Sequence, residues 1–206
     1  MKKTVKLAVA IVSLSVLTGS SFAANTGTYL GLGLGASRIQ SGNQGLVGGT
    51  GVQTSKSLGG LGGRAFAGYN FNRYLGAEMG VAHYAPSKYN ATSVTNSQSL
   101  KYSMNAIDLV GKAYLPIGES GFNAYALGGV ARVNSKQKLN STISGVAHSS
   151  STTTNKFRPV YGLGMSYDVN SSVTTNAEFT QIKGNGKTSA VPTANMLTLN
   201  VAYNLG

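Results

Sequence analysis

Met196-Leu-Thr-Leu-Asn-Val-Ala-Tyr-Asn-Leu-Gly206 alternates without a break: Leu197, Leu199, Val201, Tyr203 and Leu205 stand between Thr198, Asn200, Ala202 and Asn204. Period two marks a strand with one apolar and one polar face, because successive side chains leave a pleated backbone on opposite sides. In a soluble sandwich the apolar face turns inward onto a core. In an outer-membrane barrel it turns outward onto lipid, and the polar face looks into the lumen. The rest of the 206-residue chain discriminates between the two.

The N-terminus has the layout of an export signal. Lys2, Lys3 and Lys6 precede the apolar run Leu7–Leu17, and Ser21-Phe22-Ala23 supplies small residues for cleavage before Ala24. The run is too short to cross a bilayer as a helix. Residues 1–23 are therefore read as a signal peptide and 24–206 as a single outer-membrane domain. Cleavage would lower the net charge from +12 to +9, since three of the 17 Lys and Arg lie in the leader. The absence of Cys excludes disulfides, thiolate catalysis and Cys-based zinc sites.

Beyond the leader the alternation predicts eight strands: Thr28–Arg38, Leu61–Phe71, Tyr74–Tyr84, Lys101–Leu115, Phe122–Val133, Lys156–Asp168, Val173–Lys183 and Met196–Leu205. Each is close to or above the length a tilted strand needs to span a bilayer. The connections alternate in length. Residues 39–60, 85–100, 134–155 and 184–195 are long, whereas Asn72-Arg73, Pro116–Gly121 and Val169–Ser172 are short. An even number of antiparallel strands then collects the long loops at one end and the short turns with both termini at the other. This is the plan of an all-β, eight-stranded antiparallel up-and-down transmembrane β-barrel with extracellular loops and periplasmic turns. The long connections are rich in Gly, Ser, Thr and Asn, as in Ser41–Thr54 and Ser149–Asn155, and read as mobile surface. Gly31-Leu-Gly-Leu-Gly35 lacks the spacing of a phosphate loop and reads as inward glycines relieving crowding in a narrow barrel.

Turning each strand's apolar set outward puts Leu30, Leu32, Leu34, Met79, Val81, Ile107, Leu109, Tyr125, Leu127, Leu163 and Phe179 on lipid. Arg64, Glu78, Asp108, Lys112, Arg132, Asp168 and Glu178 then fall in the lumen. Phe66 also falls inward, with Ala65 and Ala67 outward. A charge facing lipid at mid-depth costs about 2–4 kcal/mol for Arg or Lys, so this phase is self-consistent. Charges of both signs in a narrow lumen are expected to pair, and Glu78, Lys112, Arg64, Asp108, Arg132 and Glu178 are the expected network.

The remaining cations are lopsided. Arg38, Lys56, Lys88, Lys101, Lys136, Lys138, Lys156, Arg158, Lys183 and Lys187 lie in the long loops or at their strand ends, with no carboxylate among them. A cationic rim on a cell surface suits phosphorylated lipid, lipopolysaccharide or an anionic host polymer. Nucleic acid is not expected, because the basic residues are scattered over loops without a binding module. Catalysis is not expected either. His148 with Ser150 has no acid nearby to orient a base. No cofactor is expected, and no metal, since no His, Asp and Glu grouping has ligand spacing.

Several stretches resemble the transmembrane barrel of the OmpA family: Gly68-Tyr-Asn-Phe71, Gly76-Ala-Glu-Met-Gly80, Gly111-Lys-Ala-Tyr-Leu-Pro-Ile-Gly118 and Ala124-Tyr-Ala-Leu-Gly-Gly-Val-Ala-Arg132, with Met196–Gly206. The resemblance implies a barrel in a Gram-negative outer membrane, structural and sometimes weakly pore-forming. It implies that Glu78 pairs with Lys112 across a narrow water path. The family's further partners on its sixth and seventh strands stand here as Ser166 and Asn176, so a charge-exchange gate is not carried over. A peptidoglycan-binding domain, and with it wall tethering, is not expected. The closing strand of such barrels serves as an assembly signal for the insertion machinery. The matching outward positions are Val201, Tyr203 and Leu205, with Leu where the family commonly has Phe.

The expected protein is thus a structural or surface-interaction barrel and a monomer, because closure completes its own hydrogen bonding. A narrow ion pore and an adhesin for host glycans are the alternatives.

Overall fold

The structure, a computed structural model, describes residues 26–41, 53–93, 96–143, 146–186 and 190–205; residues 1–23, expected to be a signal peptide, most of Ser41–Thr54 and Lys187 lie outside them. Nine strands cover most of the described chain: β1 (Gly27–Gln40), β2 (Gln53–Ser57), β3 (Gly60–Asn70), β4 (Leu75–Thr92), β5 (Asn96–Pro116), β6 (Phe122–Ile143), β7 (Val146–Asp168), β8 (Val173–Ile182) and β9 (Thr193–Asn204). β2 and β3 pair with successive parts of β4, so they form one stave broken at Leu58 and Gly59. β1 pairs with β3 on one side and β9 on the other, and β4 through β9 each pair with the next, all antiparallel. The result is a closed ring of eight staves around the barrel wall, while above it β2 and the Val146–Arg158 part of β7 are paired on one side only among the described residues.

The short turns carry their own chemistry. The Asn72 side-chain oxygen accepts from the backbone N–H groups of Tyr74 and Leu75 at 2.8 and 2.9 Å. Asn170 does the same for Ser172 and Val173, at 2.8 Å each. Both are Asx turns. At the third turn Gly118 and Gly121 take φ of 61° and 76°, the left-handed region that favours glycine.

At the other end the structure corrects two expectations. Most of 85–100 and 134–155 is strand rather than mobile loop: β4–β5 pairing continues to Thr92 and Ser97, and β6–β7 pairing to Ile143 and Val146. The backbone ladder needs no apolar residue to continue, so a polar Ser/Thr run extends an existing hairpin. The inner side of the β4–β6 extension also has a small core of Tyr89, Leu100 and Tyr102. One extra residue enters β4 between Tyr84 and Ser87, where Pro86 has no N–H to give. That bulge reverses the side-chain parity of everything beyond it on β4.

The outer wall is apolar all round: Leu32, Leu163 and Leu199 are 69%, 66% and 70% exposed. A belt of this kind is far larger than a soluble surface tolerates and is matched only by lipid. Its upper limit, on the long-connection side, is a row of polar pairs. His83 Nδ1 lies 2.6 Å from Asn105 Oδ1, while Asn134 and Gln181 donate to Asn155 and Asn195 at 2.8 Å each.

One strand has the opposite phase to that expected. On β6, Tyr125 and Leu127 point inward and are buried, while Ala126, Val130 and Arg132 point outward. Arg132 is therefore not lumenal. In the middle of β6 the outward positions Ala124, Ala126 and Gly128 are small, while the larger Tyr125 and Leu127 face inward. Tyr125 is drawn in because its hydroxyl donates to the lumenal Glu178 at 2.9 Å.

The lumen is filled in two layers. Towards the long-connection end Tyr84, Met104, Val133, Val160, Ile182 and Met196 form an apolar cluster, and Val191 from the β8–β9 connection joins it. Below it lie the charges. Gly31 faces Phe66 across the β1–β3 pair, and a Cβ there would run into the Phe66 ring.

Candidate functional site

Two places concentrate chemistry: the charged layer of the lumen and the wall above the apolar belt. In the lumen, β3 brings Arg64, β4 Glu78, β5 Asp108 and Lys112, and β8 Glu178; all five are buried. Arg64 is the hub. Its Nη2 lies 2.9 Å from Glu78 Oε1 and 3.3 Å from Asp108 Oδ1, and its Nη1 bonds Glu178. Lys112 Nζ closes the circuit, 2.6 Å from Glu78 Oε2 and 3.2 Å from Glu178 Oε2. Five of the six expected network residues thus meet, and Arg132 does not.

Two cations face three carboxylates, so neutral donors matter. Tyr29 donates to Glu78 at 3.0 Å and Tyr125 to Glu178 at 2.9 Å. The Phe66 ring lies beneath both cations, 5.1 Å from the Arg64 guanidinium carbon and 5.6 Å from Lys112 Nζ. Tyr29 was not named from sequence and Tyr125 was expected to face lipid; the usable signal was a Tyr at inward parity beside a lumenal acid. Ser166 and Asn176 pair in register. Asn176 accepts from Tyr125 at 3.2 Å and from Asn200. Asp168, nearer the short turns, accepts from Thr174 at 2.7 Å and Asn123 at 3.3 Å.

Among the described residues, the spaces next to the charged layer are small. Below the charged layer a polar pocket of about 40 Å³ is lined by Lys112, Tyr114, Asp168 and Asn204, among others. Above it, between Arg64, Asp108 and the apolar layer, the void is about 10 Å³. That is roughly the space one water needs. The charged and apolar layers together interrupt the lumen.

On the upper wall the cations divide by strand parity. The β4 bulge turns Lys88 outward, where it stands directly opposite Lys101, and Lys101 stands directly opposite Lys138. Lys136 and Arg132 follow below Lys138 on the same face of β6, opposite Ser103 and Ile107. Arg38 is also outward, opposite Asn195. Lys56 and Lys156 stand opposite the inward Tyr89 and Val133, on the mouth side, yet both are exposed. Arg158 donates to Asn185 at 2.8 Å, and Lys183 is exposed just past β8.

His148 stands opposite Ser141 near the far end of the β6–β7 hairpin, exposed like Ser150. Val201, Tyr203 and Leu205 face outward near the short-turn end of β9, each a little over half exposed.

Residues 23–206 match the family described as the OmpA-like transmembrane domain. An uncharacterized protein of Coxiella burnetii is 29% identical over 180 residues, covering 74% of this chain and 71% of that protein. Outer membrane protein A of Klebsiella pneumoniae is 32% identical over 150 residues, covering 71% of this chain and 41% of that protein, so the chain spans well under half of it. Among solved structures, Neisserial surface protein A superposes with a TM-score of 0.53 at 16% identity, covering 87% of this chain and 98% of that one. That likeness is one of fold.

Proposed function

Because the chain belongs to the family of OmpA-like transmembrane domains, and so lies in the outer membrane of a Gram-negative bacterium, we propose that it is a structural and surface-interaction barrel, closed to solutes, whose cationic extracellular end engages anionic sugars of lipopolysaccharide or a similar surface polymer. One observation carries this reading: Lys88, Lys101 and Lys138 stand side by side across three strands. Like charges directly opposite destabilise a sheet. All five carboxylates of the chain lie elsewhere, at Glu78, Asp108, Glu119, Asp168 and Glu178. A phosphate or carboxylate from outside supplies the missing counter-charge through charge-assisted hydrogen bonds. The contact is exposed, so it is screened by salt.

The test uses the full chain in nanodiscs and the phosphorylated core oligosaccharide of lipopolysaccharide freed of its lipid. The triple variant Lys88→Gln, Lys101→Gln, Lys138→Gln is expected to bind roughly tenfold more weakly and with a flatter salt dependence. Equal binding by parent and variant overturns the reading. Binding confined to sulfated host-type glycans would move it to adhesion. A conducting pore draws no support from a lumen interrupted by two filled layers.

A closed barrel leaves no backbone unpaired in lipid, so the proposed unit is a monomer. Val201, Tyr203 and Leu205 are proposed as the segment read by the insertion machinery. Leu205 lies at the edge of the belt, where a polar residue costs little stability. Leu205→Asp is therefore expected to lower the yield of heat-modifiable protein in outer membranes several-fold, while Leu205→Phe leaves it unchanged. A normal yield from Leu205→Asp would remove the role.

A further inference from the structure

The outer wall carries a groove of about 750 Å³ at the upper edge of the apolar belt. Its floor is low because β3 presents the small Gly63 and Ala65 there, with Leu61 of the same strand at the margin. Leu34 and Val81 rise on either side, and Ile107 continues the wall to Arg132. The groove's upper margin is the polar row His83, Asn105, Asn134 and Asn155. Its volume lies within the roughly 300–1,000 Å³ usual for a small-ligand site.

Arg132 shows what the groove is for. It is exposed, yet it stands between Ile107 and Phe157, within the last apolar row rather than above it. An arginine there must either reach up to water or meet an anion at the membrane surface. Four residues further along β6, Lys136 presents a second cation on the same face.

We propose that this groove is a site for one phosphorylated, acylated lipid of the outer leaflet, with an acyl chain over Gly63 and Ala65 and a phosphate on Arg132. The apolar part selects an acyl chain, since the groove opens sideways onto lipid and not into the lumen. Arg132 selects the phosphate, for which its planar fork is suited to two parallel hydrogen bonds. Lys136 adds charge, and the amides of Asn134 and Asn155 add donors for a sugar headgroup. The proposal rests on the function above only in taking a phosphorylated lipid as the surrounding leaflet; its residues are not those of the lysine ladder, which lies above it on the same face of β6.

Native mass spectrometry of the full chain released from micelles tests it, with lipid A as the probe. The parent is expected to retain one lipid A and to lose it when the lipid's phosphates are removed. Arg132→Gln should weaken retention about tenfold, the loss of one charge-assisted contact. Ala65→Phe, which fills the floor, should do the same while heat-modifiability shows that the barrel is folded. Millimolar inorganic phosphate should not displace the lipid, because the acyl chain provides part of the hold. The triple lysine variant should retain lipid A as the parent does, so a failed ladder and a failed groove give different results. Unchanged retention in both Arg132→Gln and Ala65→Phe, or equal retention of dephosphorylated lipid A, overturns the site.

Discussion

Arg64→Leu should be the most damaging single substitution in the lumen, lowering stability by about 3–5 kcal/mol, the range found when one member of a buried ion pair is removed. Among the described residues, Arg64 alone reaches Glu78, Asp108 and Glu178 together. Without it Glu78 and Glu178 share Lys112, and Asp108 loses its ion pair. Lys112→Met should cost less, because both glutamates keep Arg64. Urea unfolding in lipid vesicles, followed by circular dichroism and by gel mobility before and after boiling, measures the difference. Adding Glu178→Gln to Arg64→Leu should restore part of the loss, since it removes one orphaned charge. An Arg64→Leu barrel as stable as the parent would mean that the cluster is merely tolerated. In planar bilayers the same variant should stay silent, because the apolar layer of Tyr84, Met104, Val133 and Met196 remains above the vacated charge.

The second large effect belongs to the outer wall. Leu199 is 70% exposed and stands between Leu34 on β1 and Ala177 on β8, well inside the belt. Leu199→Arg should cost about 2–4 kcal/mol, as a cation near the bilayer midplane does. Leu205→Arg at the belt's edge should cost about 0–1 kcal/mol. The ratio of the two reports depth. Equal costs would mean that β9 does not lie across the bilayer as its apolar face indicates. Asn200→Arg, one residue away on the lumenal face, would act by crowding instead, since Asn200 is buried against Gly33 and Asn176.

Much of this arrangement was legible from residues alone. Alternation located all eight staves, and the long and short connections do fall at opposite ends of the ring. The rule that charges avoid lipid put Arg64, Glu78, Asp108, Lys112 and Glu178 on one side of the wall. It failed on β6, where Tyr125 and Leu127 look like lipid-facing residues. Alternation reports which residues share a face, but not which way that face points. A lumen with its own apolar layer makes the usual sign ambiguous. The polar connections 85–100 and 134–155 were misjudged for a related reason. Their composition suggests no core, yet a hairpin already begun in the membrane extends through backbone hydrogen bonds that any residue but proline can make.

The sequence by itself determined the class of fold and five of the six residues of the expected lumenal network, with Arg132 the exception, because both follow from periodicity and from the cost of charge in lipid. Only the tertiary structure decided that Arg64, rather than the Glu78–Lys112 pair, is the hub. It alone placed Lys88 beside Lys101 and Lys138 and set Arg132 above an apolar groove. Those facts depend on register between strands distant in the chain, and on one extra residue at the β4 bulge. A single strand's pattern carries no information about its neighbour's offset, so such meetings exist only once the ring has closed.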